Sequence, residues 1–228
     1  ISMNFANVGI PVKILEMDQA ALDKGLGIVK KNYEASAWKG RISSEDVDVR
    51  MGLIEGTTNY SDLKDVDLVI EAVFENMDVK KEVFSKLNET VSENTILASN
   101  TSYLDIDEIA TVVDNPERVL GMHFFSPANI MRLLEIIKAE KTSPAILATV
   151  LKLAKSIKKV GAVAGVCHGF IGNRMLTGYS REANLLVLEG APPEQVDRVL
   201  YEFGMPMGVI AMADICLSLI HISEPTRH

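Results

Sequence analysis

The feature that most constrains the fold is an alternation along the chain. Short aliphatic and β-branched runs of strand length are each followed by a stretch whose apolar residues recur every three or four positions. Ile10 to Glu16 is such a run, and Asp18 to Trp38 follows with Ala21, Leu22, Leu26 and Val29 at helical spacing. Val66 to Val73 is the next, trailed by Val79, Val83, Phe84 and Leu87. Thr95 to Ser99 precedes Asp105 and Glu108, whose spacing is that of a capping box opening a helix that runs through Val113. Val119 to His123 and Leu133 to Ile137 read as further strands, and Ser143 to Ile157 carries Ile146, Val150, Leu153 and Ile157 on one helical face. Strands alternating with helices predict an α/β, Rossmann-like, mostly parallel sheet covered on both faces. Ligands are then expected beyond the carboxyl ends of the strands.

The domain organisation follows from where this pattern starts and stops. Ile1 to Gly9 reads as the body and end of a helix, so the layout is that of a dinucleotide fold whose first strand and glycine-rich phosphate turn lie ahead of Ile1. Residues 1–160 form that domain. From about Gly169 the character changes: Phe170 to Leu188 and Pro193 to Phe203 read as helices, the second with Pro193 in its first turn and Gly204 just past its end. Residues 161–216 thus begin an all-helical domain. Leu217 to Arg227 matches a translated sequencing-library adapter codon for codon, so 217–228 is read as a non-native tail without function.

Composition removes several function classes. No apolar run approaches the roughly 18 to 20 residues that a bilayer span requires, the longest being Val160 to Cys167. With 23 basic and 31 acidic side chains the net charge is -8, and no Lys/Arg stripe offsets it locally, which argues against a nucleic-acid partner. Two cysteines, Cys167 and Cys216, fit neither a zinc site nor a disulfide framework; they favour a reducing compartment, and a cytoplasmic location without a metal is expected.

Certain side chains could carry chemistry. Glu16 closes a strand where an acid would accept hydrogen bonds from ribose hydroxyls and repel a 2'-phosphate, favouring NAD over NADP; a merely solvated carboxylate is the alternative. His123 ends an apolar strand, and Glu135 lies among Leu133, Leu134, Ile136 and Ile137, where an acid must be paired or exposed. Adjacent strands could join the two. A carboxylate on one imidazole nitrogen fixes the tautomer and leaves the other nitrogen to take a hydroxyl proton. A core histidine beside an unrelated surface acid is the plainer reading. Ser99 to Ser102 and Asn173-Arg174 are polar clusters that turn formation and helix capping also explain.

Taken together, these stretches resemble the L-3-hydroxyacyl-CoA dehydrogenase family. The resemblance rests on Asp67 to Asn76 with Lys80, Ala98 to Ser102, Gly121 to Pro127, Leu133 to Glu135, Gly169 to Arg174 and Gly204 to Gly208, in family order across residues 1–216. It implies that His123 is the general base for the substrate 3-hydroxyl and Glu135 its orienting partner. Ser102 and Asn173 would hold the hydroxyl or developing ketone, and Glu16, Glu75, Lys80, Ser102 and Ser126 would contact NAD. Glu16 replaces the more usual Asp, and Ser126 stands where many members have Asn. The wording Phe125 to Asn129 with Met131, and Asn100 to Leu104, looks more like bifunctional enzymes that carry an enoyl-CoA hydratase domain. The resemblance also implies an acyl-CoA substrate, a place in fatty-acid β-oxidation, and a homodimer or multifunctional parent. Lys24, Lys30, Lys31 and Lys39 could meet CoA phosphates or form a solvated helix face. Two rival readings stand: a 3-hydroxybutyryl-CoA dehydrogenase working reductively, and a noncatalytic nucleotide-binding module. Without the glycine turn, the chain as it stands is expected to be inactive.

Overall fold

The computed structural model describes residues 1–215, so Cys216 and the tail read at 217–228 lie outside the described residues. The chain divides into two compact units after Phe170 rather than at residue 160. The reason is β7, Val160–Gly165, which pairs along its length with the strand before it and so belongs to the sheet.

In the first unit, α1 (Ser2–Ala6) leads into β1 (Val12–Leu15), α2 (Gln19–Trp38), α3 (Ser44–Gly52) and β2 (Ile54–Thr57). Then come β3 (Leu68–Glu71), α4 (Met77–Thr90), β4 (Ile96–Ser99), α5 (Ile106–Ala110), β5 (Val119–Phe124), β6 (Leu133–Lys138), α6 (Pro144–Ser156) and β7. The strands form a parallel pair, β1-β2, and a five-stranded sheet in the order β3-β4-β5-β6-β7. Pairing in the larger sheet is parallel except between β5 and β6, which run antiparallel.

Local chemistry explains most boundaries. Asp18, Asn76 and Ser143 accept backbone N–H bonds at the starts of α2, α4 and α6, each worth about 1 kcal/mol. Ser43 and Asp46 form a reciprocal capping box at α3. The box expected at Asp105 and Glu108 is only half made: Asp105 accepts from the Asp107 and Glu108 amides, while the Glu108 carboxylate reaches Lys81 at 2.7 Å. The helix there stops at Ala110. At the end of α6, Lys158 N–H bonds to Lys155 O and Lys159 N–H to Ala154 O, a Schellman turn. Lys158 occupies its left-handed position at φ 61°, where glycine is favoured; a side chain there costs about 1 kcal/mol.

Side chains alternate between the two faces of the sheet. Leu97 and Val119 enter one core cluster with Phe84, Leu87, Ile106 and Ile109. Ala98, Leu120 and Met122 enter the other with Leu134, Ile136, Val150 and Ala154. Both faces are covered, which is why β5 reads as an uninterrupted apolar run. The smaller sheet shares these clusters: Val12 packs against the same cluster as Leu68 and Ile70, and Leu15 against the same cluster as Val69.

In the second unit, α7 is Gly172–Leu188 and α8 is Pro193–Phe203, ended by Gly204 at φ 108°. Residues 209–215 are helical again, and Asp197 caps them by accepting from the Ile210 and Ala211 amides. Among the described residues no helix is long and apolar enough to cross a membrane.

Candidate active site

The ends of β3, β4 and β5 stand side by side because Glu71 pairs with Ser99 and Ser99 with Gly121. Two residues further along β5, His123 lies directly opposite Glu135 on β6. The sequence brings them together through the two-residue period of strands, which puts His123 on the face of Gly121 and Glu135 on the face of Ile137. His123 Nδ1 and Glu135 Oε2 are 2.8 Å apart, with 5% and 0% of their side chains exposed. Phe125 and Phe170 set their rings 4.4 and 5.9 Å from the imidazole. Gly121 is required beneath this couple: a Cβ there would sit 2.8 Å from Ile137 Cβ.

A second buried cluster fills the end of β3. Lys80 Nζ donates to Glu71 Oε1 at 2.7 Å and lies 3.5 Å from Glu75 Oε2. Glu71 also accepts from the Val73 amide and the Ser99 hydroxyl. Glu75 in turn accepts from the Thr101 hydroxyl and from the Ser102 and Tyr103 amides. Burial opposes the charge on Glu75. The Thr101 hydroxyl, the Ser102 amide, the Lys80 ammonium and the Tyr103 amide outweigh it and hold the carboxyl below its ordinary value. Asn100 Oδ1 accepts the Phe124 amide and so ties this loop to the end of β5.

The residues singled out from the sequence separate accordingly. His123 and Glu135 meet. Ser102 is held through its backbone by Glu75. Lys80 is only 1% exposed, and its ammonium meets the carboxylates of Glu71 and Glu75. Glu16 follows β1, with its amide on Thr57 O and its side chain partly open. Ser126 is exposed just beyond β5. Asn173 opens α7 in the second unit and is placed there alone. Lys24, Lys30, Lys31 and Lys39 are exposed, Lys30 near Glu34, as a solvated helix face would be. Sequence reasoning misses Glu71, although an acid closing an apolar strand run is the same signal that singles out Glu16. It also leaves Asn100 and the two phenylalanine rings without roles.

The donor set fits a dinucleotide. The Glu16 carboxylate and the Ser102 hydroxyl are unengaged by other side chains among the described residues, and Met17 and Phe74 stand beside Glu16 and Glu75 with 84% exposure each. Acceptors next to bare apolar surface suit ribose hydroxyls and a flat base.

Sheet, strand-end acids and imidazole–carboxylate couple together have the layout of a dinucleotide-binding α/β domain. The family description "3-hydroxyacyl-CoA dehydrogenase, NAD binding domain" matches residues 1–167, and "3-hydroxyacyl-CoA dehydrogenase, C-terminal domain" matches 169–217. The chain belongs to the 3-hydroxyacyl-CoA dehydrogenase family. It is 44% identical over 216 residues to the peroxisomal bifunctional enzyme of Cavia porcellus, covering 94% of this chain and 30% of that protein. It is 41% identical over 217 residues to the peroxisomal fatty acid beta-oxidation multifunctional protein MFP2 of Arabidopsis thaliana, covering 95% and 30%. Among solved structures, (S)-3-hydroxybutyryl-CoA dehydrogenase from Ralstonia eutropha superposes with a TM-score of 0.91 at 34% identity, covering 94% of this chain and 77% of that one. The chain therefore spans about 30% of the length of the curated relatives it matches.

Proposed function

We propose that the protein carrying this chain oxidises L-3-hydroxyacyl-CoA to 3-ketoacyl-CoA with NAD, in fatty-acid β-oxidation. The observation that supports this best is the buried 2.8 Å contact between His123 Nδ1 and Glu135 Oε2. An ionised carboxylate can only accept, so Nδ1 carries the hydrogen and Nε2 is the nitrogen left for a substrate proton. The Nε2 lone pair takes the 3-hydroxyl proton as the C–H electrons leave C3 and the carbonyl forms. Glu135 steadies the imidazolium that results. NAD, when bound, supplies the hydride acceptor.

Ser102 and Asn173 hold the hydroxyl and the developing ketone in this reading. Glu16, Ser126 and Ser102 face the cofactor, and Glu75, braced by Lys80, fixes the Ser102 loop. Relatives named as multifunctional β-oxidation enzymes support the pathway and a multifunctional or dimeric parent. Their peroxisomal naming favours that organelle over the cytoplasm expected from the cysteine count. Locating a fluorescently tagged protein carrying these residues decides between the two.

A second reading, 3-hydroxybutyryl-CoA reduction, is favoured by the likeness to the Ralstonia eutropha enzyme. Glu16 speaks against its use of NADP. Turnover assayed with both nucleotides separates the readings: preference for NAD with medium-chain 3-hydroxyacyl-CoA supports oxidation, and preference for NADP overturns it. Undiminished turnover in His123→Ala would return the noncatalytic alternative.

A further inference from the structure

A cavity of about 230 Å³ lies in the first unit, among the end of α1, the end of α3, the loop between β5 and β6, and the turn after α6. None of its lining residues belongs to the site described above. Four are cationic: Arg50, Arg132, Lys158 and Lys159. In a chain of net charge -8 this is a local inversion of sign. Asp46 meets Arg50 at 3.9 Å, and among the described residues no carboxylate comes within ion-pair distance of Arg132, Lys158 or Lys159.

Two of the cations are held in place. Arg50 Nη1 donates to Asn7 Oδ1 at 3.0 Å. Lys159 is buried and donates to the carbonyls of Ala128 and Met131, each at 2.6 Å, which pins the loop that carries Arg132. Burial also holds the Lys159 ammonium below the ordinary lysine value. Lys158 is kept in the left-handed position of the α6 turn, where it projects a charge that glycine would lack.

One plainer account is that the cations neutralise the three helix ends gathered here. A full-length helix end carries roughly half a negative charge, and α1 has only five residues. Three such ends offset about one and a half charges at most, and Asp46 one more, so four cations leave a surplus. The volume narrows the ligand. It is below the roughly 300 Å³ at which pockets for drug-sized molecules begin, yet several times the roughly 30 Å³ share of one water. A tetrahedral oxyanion or two linked ones fits; a whole nucleotide does not.

We infer that this cavity is an anion site for a phosphoryl or diphosphoryl group, contacted by Arg50, Arg132 and Lys158, with Lys159 and Asn7 setting its walls. The guanidinium groups supply forked donors suited to phosphate oxygens, and the Lys158 ammonium a point charge.

The test is calorimetric titration of the protein with inorganic phosphate and with pyrophosphate at constant ionic strength, followed in parallel by phosphorus NMR line width. Saturable binding is expected for at least one of the two, and the tighter one tells a single phosphoryl ligand from a diphosphate. Arg132→Gln and Lys158→Gly should each weaken binding about tenfold, as loss of one charge-assisted hydrogen bond does. Lys158→Gly relaxes the backbone it sits on, so weaker binding there cannot be put down to a damaged fold, and circular dichroism checks this. The inference is overturned if neither anion binds, if chloride reproduces the effect, or if the double variant binds as well as the parent.

Discussion

Two buried acid–base couples stand at the same end of the sheet, and their construction differs. Lys80 meets Glu71 across a strand and the helix that follows it, and every polar atom is occupied: the ammonium by two carboxylates, Glu71 by a lysine, a serine and a backbone amide. His123 meets Glu135 across two antiparallel strands through one ring nitrogen, Nδ1. Burial is similar in both. In the proposed reaction, what separates the second couple from a brace is the ring nitrogen that the cross-strand contact does not use.

The largest effect expected concerns that nitrogen. His123→Ala should lower kcat per folded molecule by about 10²- to 10⁴-fold in steady-state oxidation of 3-hydroxyacyl-CoA, the usual worth of a general base, and should also lower the urea midpoint, because Glu135 is left buried without its partner. Should the midpoint collapse while residual turnover per folded molecule stays normal, the two couples would be of one structural kind. Lys80→Met should cost stability while sparing turnover per folded molecule. It leaves Glu71 buried without its cation, and urea unfolding should show a loss of about 3–5 kcal/mol. A loss under about 1 kcal/mol would place this pair with ordinary surface ion pairs.

A smaller effect attaches to Glu75. Its carboxyl is held below the unfolded value of 4.5, so its contribution is present above that value and disappears as pH falls through the depressed folded one. Glu75→Gln should flatten the acid limb of the stability profile below pH 4.5, measured as urea midpoints; an unchanged limb would detach Glu75 from the brace. The smallest is a control remote from both couples. Lys158→Gly should raise stability by about 0.5–1 kcal/mol by relieving the left-handed backbone, net of the flexibility glycine adds to the unfolded chain, and differential scanning calorimetry reads it.

The His123–Glu135 couple was legible in the sequence because an acid among four aliphatics demands a partner, and strand periodicity supplied one. Other features were masked for physical reasons. The antiparallel turn into β6 had a signal that strand pattern alone does not use: eight residues join Phe124 to Leu133, too few for a parallel crossover. β7 was hidden by its glycines and alanines, which read poorly as strand. At Gly161 the small size fits the close approach of α6, a Cβ there lying 3.3 Å from Ala154 Cβ. α3 and β2 escaped notice because Val47 is the one residue of α3 that is buried, so no apolar stripe announces the helix. The pairing of Lys80 with Glu71 was hidden because nothing local reveals that Glu71 turns inward toward it.

Gly121 has a consequence for how this chain tolerates change. Most aliphatics along β5 could drift to others of like size, but the first methyl group added at 121 would collide with Ile137 and pry the two strands apart. The disturbance would travel two rungs up the ladder to the imidazole and its carboxylate. Saturation mutagenesis of the strand should therefore find its least forgiving position at a residue with no functional group at all.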